Sequence, residues 1–199
     1  MKNNSKCNNG LIRIAAECTD RRWFYDTTWN ITVEVPGKVL HETITRYDDE
    51  TMESLKYEIM LAIEMRLNLF SGIRNAWSRE TAHSSCQKEW TKENSEYGQS
   101  CVSALVFRDF YGGDLVKSKV EGNPHYFNQI YGHALDLTSV SRLYKKPVEY
   151  QKCKVCTVEE RAELYNRHRV LFARVAPDWS KVTAECIREL DLHSKIYYD

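Results

Sequence analysis

The sequence has no excess of charge of either sign, and this absence narrows its possible partners. Lys and Arg total 28 of the 199 residues, and Asp and Glu also total 28. Nucleic-acid binders usually carry a basic excess or a basic stripe, because neutralising phosphates supplies most of their affinity. The densest cationic stretch, Arg161 to Arg174, is interleaved with acidic and apolar residues, as on a helix surface. We therefore expect no nucleic-acid partner.

Long apolar runs are missing too. No run approaches the roughly 18 residues that a membrane-spanning helix needs, so we expect no membrane partner. The first ten residues, MKNNSKCNNG, lack the apolar stretch of a secretory signal. The seven cysteines are an odd number for a secreted disulfide scaffold. These features predict a cytoplasmic protein with reduced thiols.

The sequence also lacks a complete set of metal ligands. Cys153 and Cys156 form a C-x-x-C pair, but a zinc site needs two further ligands and no second such pair occurs. The thioredoxin-like context of a redox motif is absent as well. We interpret the pair as two loop thiols, and predict no metal and no cofactor.

The composition that is present is typical of one α+β domain. Twelve Tyr and five Trp are enough for an ordered core, and the length suits a single domain. We divide it into N-terminal strands and a helix (1–70), a core (71–176) and a C-terminal helix (177–199).

Apolar periodicity and turn residues predict the elements of this domain. Strands are predicted at 11–16, within 22–41 and 38–45 around a Pro36-Gly37 turn, and at 114–120, 125–130 and 134–137. Residues 48–51 should open a helix that Ser71-Gly72 ends. Further helices are predicted at 100–111, 157–175 and 179–192. Residues 77–97 show no period and are predicted to form an ordered loop.

Residues near the start of the 100–111 helix fit the requirements of a nucleophile. A thiol there, such as Cys101, lies where unpaired backbone N–H groups and the helix dipole favour thiolate. The same N–H groups can bind an oxyanion, to which Gln99 could donate a second hydrogen bond.

His125 and Asp136 fit the roles of base and orienting carboxylate. If the hairpin turn centres on Tyr131-Gly132, Ile130 pairs with His133. Asp136 then lies diagonal to His125 on one sheet face, at roughly 7–8 Å. That spacing lets a carboxylate orient an imidazole. The alternative is that Cys101 is a buried helix thiol, His125 a strand residue and Asp136 a turn carboxylate.

A series of short motifs runs through the middle of the chain: Trp77-Ser78-Arg79-Glu80-Thr81, Trp90-Thr91-Lys92-Glu93-Asn94, Gly98-Gln99, Ala104-Leu105, Asp109-Phe110-Tyr111-Gly112-Gly113, His125-Tyr126-Phe127-Asn128 and Asp136-Leu137-Thr138. Together they resemble the YunG-like family of small, mostly uncharacterised bacterial proteins. The resemblance covers 77–138 and extends to the 157–175 helix. The order of Cys, His and Asp in the family is similar to papain-like and NlpC/P60-like hydrolases, by analogy. It implies a nucleophile-bearing helix against a small antiparallel sheet.

One position departs from the family pattern. Counted back from Gly112-Gly113, the family's cysteine falls on Ser100. Cys101 cannot replace it, since consecutive helix residues differ by about 100° around the axis. Ser100 is then a natural serine nucleophile, an engineered replacement of cysteine, the mark of a lineage that lost catalysis, or an ordinary N-cap residue.

The sequence thus predicts a cysteine-hydrolase-like protein acting on an amide, isopeptide or thioester bond of a protein or peptide-like substrate. The substrate-binding residues are predicted to be Trp77, Arg79, Trp90 and Asn128. The alternative is a catalytically silent protein-binding module or inhibitor. Its contact surface would be the N-terminal strands and the C-terminal helix. The oligomeric state is not readable from the sequence.

Overall fold

The structure, a computed structural model, describes residues 10–22, 26–36, 38–46, 51–138, 146–157 and 165–176. Its strands are β1 (Arg13–Arg22), β2 (Asp26–Val35), β3 (Lys38–Arg46), β4 (Asp114–Val120), β5 (Asn123–Ile130), β6 (His133–Leu135) and β7 (Lys154–Val155). Its helices are α1 (Met52–Leu67), α2 (Leu69–Asn75), α3 (Ser100–Tyr111) and α4 (Tyr165–Val175), with a 3-10 turn at Ser84–Cys86. This mixture confirms the predicted α+β class. None of the helices in the described ranges is both long and apolar enough to cross a membrane.

The first sheet is antiparallel, in the order β1-β2-β3. Val35 pairs with Lys38, which confirms the predicted hairpin. Along β2, Ile31, Val33 and Val35 are buried at every second position, because side chains of a strand alternate between faces. This buried face shares one apolar cluster with α1 and α3.

Helix α1 begins as predicted but ends early. The Thr51 hydroxyl accepts a hydrogen bond from the Ser54 N–H at 3.1 Å and caps its first turn. Its C-cap, Asn68, has a left-handed φ of 53°, and α2 starts immediately afterwards. The prediction that Ser71-Gly72 ends the first helix is therefore wrong. Gly72 lies inside α2, because the left-handed residue breaks the chain one turn earlier.

The N-terminal sheet joins the rest of the chain through backbone contacts. The Leu11 N–H donates to the Asp109 carbonyl at 2.9 Å, and the Ile12 N–H to the Phe110 carbonyl at 2.7 Å. At Gly10 the two backbones approach so closely that a Cβ atom would lie 2.5 Å from the Gly112 nitrogen. The chain before β1 thus runs directly against the last turn of α3.

The second sheet is antiparallel, in the order β6-β5-β4-β7. Ile130 pairs with His133, so the predicted register of the β5–β6 hairpin is confirmed. The β4–β5 turn is tighter than predicted: Val120 pairs with Asn123 across two residues of positive φ, Glu121 and Gly122.

The two faces of this sheet pack against different parts of the chain: α3 packs on one face, and the segment of Val148 and Tyr150 packs on the other. Asn128 of β5 lies on the face that α3 covers, since its Nδ2 donates to the Ala104 carbonyl at 2.9 Å. Phe127, the preceding residue, packs instead with Val148 and Tyr150. Because successive side chains alternate, odd-numbered residues of β5 point away from α3.

The remaining predictions divide in two. Helix α3 has the predicted bounds, and the loop over 77–97 is irregular with one 3-10 turn. The helix predicted at 157–175 is described from Tyr165 to Val175. Its beginning and the helix predicted at 179–192 lie outside the described residues.

Candidate functional site

The loop before α3 is tied to that helix by side-chain hydrogen bonds. Trp77 Nε1 donates to Ser103 Oγ at 2.8 Å. Gln99 Nε2 donates to the Ser78 carbonyl at 2.8 Å, and the Thr81 hydroxyl donates to Gln99 Oε1 at 2.9 Å. The W-S-x-x-T and G-Q motif residues therefore build the approach to the first turn of α3.

This arrangement corrects the role predicted for Gln99. Its side chain is fully buried, and both its amide nitrogen and its amide oxygen are engaged within the loop. A side chain that solvent cannot reach does not face a substrate. In this arrangement Gln99 holds the loop, with its amide nitrogen bound to the Ser78 carbonyl instead of pointing to solvent.

The predicted substrate-binding residues do not converge on one surface. Asn128 is fully buried against α3, so its predicted substrate contact is corrected to a structural hydrogen bond. Trp90 is half-buried, and its Nε1 donates to the Ser95 carbonyl at 2.9 Å. Arg79 is exposed, and its Nη2 lies 3.4 Å from the Trp90 carbonyl. Trp77 is half-buried and packs on the core.

The two nucleophile candidates differ in exposure. Ser100 is the first residue of α3 and is half-buried. Cys101 is only 4% exposed and packs in an apolar cluster with Leu105, Leu115 and Cys156. Burial raises the pKa of the Cys101 thiol far above its usual range, with a smaller opposing effect from the Arg167 charge. Cys101 is therefore a core thiol.

His125 and Asp136 form the predicted pair. His125 Nε2 donates to Asp136 Oδ2 at 2.6 Å, and the imidazole is 2% exposed. The Thr138 N–H and hydroxyl donate to the other carboxylate oxygen at 3.0 and 2.8 Å. The Tyr150 hydroxyl donates to Oδ2 at 3.2 Å, and burial, followed by the Asp136 charge, raises the pKa of Tyr150 to about 12.

The structure does not bring this pair to Ser100. His125 shares its face of the sheet with Phe127, whereas α3 packs on the face that carries Tyr126 and Asn128. The thickness of the sheet thus separates His125 from the start of α3. Of the predicted triad, the structure brings together His125 and Asp136. Helix α3, which carries Ser100 and Cys101, packs on the other face of the sheet.

The C-x-x-C pair also straddles the sheet. Lys154 and Val155 form the short strand β7, and the two cysteines flank it outside regular secondary structure, as predicted for loop thiols. Cys156 lies with Cys101 on the α3 face, and Cys153 packs on the Phe127 face. Within the described residues, no group of three or more His, Cys, Asp or Glu side chains could hold a metal ion.

Sequence reasoning missed Arg167 and Arg174, which lie on the inner side of α4. The Arg174 guanidinium contacts Ser78 Oγ at 2.7 Å and Glu80 Oε2 at 2.6 Å, which anchors α4 to the loop. Arg167 is partly buried, and its Nη1 lies 3.4 Å from the Thr81 carbonyl. A signal was available, since both arginines fall on the helical face of the buried Leu171, at i−4 and i+3.

The surroundings of Arg167 are unusual for a partly buried cation. Burial lowers the pKa of the Arg167 guanidinium. Smaller electrostatic effects from Cys101, Tyr126 and Cys86 act in the opposite direction and raise it. Across the described ranges, the ion pairs of the protein include no carboxylate bound to Arg167. A second cation, Lys117, also lies near the Cys101 thiol. Positive charge therefore collects beside the first turn of α3.

Fold and motifs together define an α+β protein in which a Trp-containing loop and a basic helix enclose the start of a buried helix. The family model of the YunG protein matches residues 66–180, more than half of the chain. The chain belongs to the YunG family.

A relative in Bacillus subtilis (strain 168), the uncharacterised protein YunG, is 34% identical over 106 residues. That alignment covers 51% of this chain and 86% of the relative. No solved structure matches. The comparisons therefore give no support to the papain-like and NlpC/P60-like resemblance.

Proposed function

We propose that this YunG-family protein is a non-enzymatic binding protein that receives a carboxylate of a protein or peptide partner beside the first turn of α3. The observation that carries the proposal is the partly buried guanidinium of Arg167, which has no carboxylate partner among the described residues. The proposal shares the class of the binding alternative in the sequence analysis, but it places the site beside α3 and not on the N-terminal strands and the C-terminal helix.

The geometry favours binding over hydrolysis. An activated nucleophile needs its base within hydrogen-bond reach, about 2.6–3.2 Å. Helix α3 and the His125 imidazole lie on opposite faces of the second sheet, and the imidazole is buried against Asp136. The Cys101 thiol is held protonated by burial. Hydrolysis through these groups would require a different arrangement of α3 and the sheet.

Charge explains why the proposed ligand group is a carboxylate. A cation that is partly removed from water is stabilised by a paired anion, and guanidinium pairs best with carboxylates through two parallel hydrogen bonds. The described neighbours of Arg167 include two thiols, a phenol, the His83 imidazole and the Thr81 carbonyl. The first N–H groups of α3 lack intrahelical partners and carry the positive end of the helix dipole, which adds to the attraction.

The anchoring of α4 would keep this site in place. Arg174 lies two helical turns after Arg167, and it binds Ser78 and Glu80 of the loop. The same loop is fixed to α3 through Gln99. The guanidinium of Arg167 is therefore held between two anchored elements, which lowers the entropy lost when a ligand binds.

Thermal unfolding at constant ionic strength tests the proposal, with sodium glutarate as the probe. A ligand that binds the native state raises Tm with its concentration. We expect glutarate to raise the Tm of the wild type but not of Arg167→Gln. Arg169→Gln is the matched control, since Arg169 is exposed on the same helix beside the Tyr165 ring. Equal responses in wild type and Arg167→Gln would contradict the proposed site.

The non-enzymatic part is tested separately with fluorogenic peptide amide and thioester substrates. Wild type and Ser100→Cys should both leave them unchanged relative to buffer. Turnover by Ser100→Cys that is lost in Ser100→Cys/His125→Gln would instead establish the hydrolase.

A further inference from the structure

One buried carboxyl group connects three helices. Glu64 lies in the last turn of α1 and is 5% exposed. Its Oε1 accepts the Phe70 N–H of α2 at 2.6 Å, and its Oε2 accepts the Tyr111 hydroxyl of α3 at 3.2 Å. A single side chain thus fixes the relative positions of α1, α2 and α3.

The joint between α1 and α2 depends on this carboxyl. Asn68 is left-handed and gives α2 no side-chain cap of its own. Glu64 supplies the missing cap, because its carboxyl accepts the N–H of the second residue of α2. The family match also starts at this joint, at residue 66. Most of α1 lies before the matched region, and α2 and α3 lie within it.

We propose that Glu64 is a pH-sensitive latch: its carboxyl stays buried at the α1–α2 joint while it is protonated, and ionisation, which leaves a charge in this buried position, loosens the joint from α3. The N-terminal sheet and α1 would then be attached to the YunG core more firmly at mildly acidic pH than at alkaline pH. This device is independent of the proposed carboxylate site at Arg167.

Burial sets the direction of the effect. It raises the pKa of Glu64 to about 7, against smaller lowering effects from the Phe70 N–H, the Tyr111 hydroxyl and the Arg74 charge. In the unfolded chain a glutamate has a pKa of about 4.3. A group whose pKa is higher in the folded state contributes stability that is fully present below the unfolded pKa. That stability is lost as pH rises through the folded pKa.

The groups that face Glu64 come from two neighbouring elements. Arg74 of α2 contributes a charge and Tyr111 of α3 contributes a phenol. The β5–β6 hairpin places His133 further along α1, where it stacks on Tyr57 with ring centroids 4.0 Å apart. Because histidines also titrate near neutrality, the test must separate Glu64 from them.

Urea unfolding of the wild type and of Glu64→Gln between pH 6 and 8 distinguishes the effect of Glu64 from that of the histidines. The glutamine keeps the size of the side chain and cannot ionise. We expect the unfolding equilibrium constant of the wild type to rise about tenfold more over this range than that of Glu64→Gln, given a folded pKa of about 7. Glu58→Gln, at an exposed position of the same helix, should keep the wild-type pH dependence. Identical pH dependence in wild type and Glu64→Gln would overturn the proposal.

Amide hydrogen exchange locates the change. After correction for intrinsic rates, α1 and α2 should lose protection from pH 6 to 8 more than β4 and β5. Tyr111→Phe provides a second variant that keeps the carboxyl if Glu64→Gln does not fold. Tyr111→Phe removes the hydrogen bond from Tyr111 that lowers the pKa of Glu64. The pH at which stability is lost should therefore be higher in this variant. A transition at the wild-type pH in Tyr111→Phe would also overturn the latch.

Discussion

His125 and Asp136 are hydrogen-bonded at 2.6 Å on the face of the second sheet that α3 does not cover. The pair resembles the base and the orienting carboxylate of a hydrolase. Here the Asp136 carboxylate also accepts hydrogen bonds from the hydroxyls of Tyr150 and Thr138. Their hydrogen bonds fix the segment after β6 and the Tyr150 segment to the sheet. We infer that the pair is structural.

A structural pair should be costly to break. Asp136→Ala removes the acceptor of the buried His125 N–H and of the Thr138 and Tyr150 donors, and we expect a loss of about 3 kcal/mol in the free energy of unfolding. Tyr150→Phe removes one neutral donor and should cost about 1 kcal/mol. Glu149→Ala, at an exposed position, serves as the control. Urea denaturation measures all three, and an Asp136→Ala cost below that of Tyr150→Phe would contradict the assignment.

A thiol introduced at position 100 reports on its surroundings. In Ser100→Cys, the rate of iodoacetamide labelling should be the same with and without His125→Gln, because the sheet lies between the two positions. Arg167→Gln should slow it several-fold, since a nearby cation favours the thiolate. Peptide mapping by mass spectrometry gives the rates. If His125→Gln slows labelling and Arg167→Gln does not, the triad is correct and the proposed binding site is not.

Four of the cysteines in the described part of the chain, those of the α3 region and the C-x-x-C pair, should fall into two classes. Cys101 and Cys156 are 4% and 3% exposed and should remain unlabelled in the folded protein, whereas the half-buried Cys86 and Cys153 should react. Because burial raises the pKa of Cys101, this thiol should remain unlabelled when the pH is moved from 7 to 9. Fast modification of Cys101 at pH 9 would mean that α3 is not packed as described.

The tryptophan of the W-S-x-x-T motif offers a test of the loop. Trp77→Phe keeps an aromatic ring but removes the hydrogen bond to Ser103, and should cost about 1 kcal/mol or more in unfolding free energy. Ser103→Ala removes the same bond from the other side, so the double variant should cost less than the sum of the two. Full additivity of the two changes would show that the bond contributes nothing.

Local signals predicted much of the fold. The bounds of α3 followed from its apolar run and the Gly112-Gly113 ending, and the β5–β6 register followed from a two-residue turn. The break between α1 and α2 was missed, because its cap comes from the side chain of Glu64, six residues before the N–H that it binds. Sequence patterns for helix ends do not include so distant a partner.

For the candidate site, the sequence predicted which residues share a strand face but not how the elements pack together. Alternation along strands correctly placed His125 and Asp136 on one face, but it carries no information about which face α3 covers. That choice depends on tertiary packing, and it decides whether position 100 can meet the imidazole. The spacing of Arg167 from Leu171 placed it on the apolar face of α4, but the sequence did not show that this face packs beside the first turn of α3.

The close approach at Gly10 has a consequence for substitution at this position. The atoms that a Cβ would strike there, the Gly112 nitrogen and the Phe110 carbonyl oxygen, both belong to the main chain. A second mutation changes side chains, so it cannot make room at this point. Any side chain at position 10 therefore requires the main chain itself to shift at the junction between the N-terminal segment and α3.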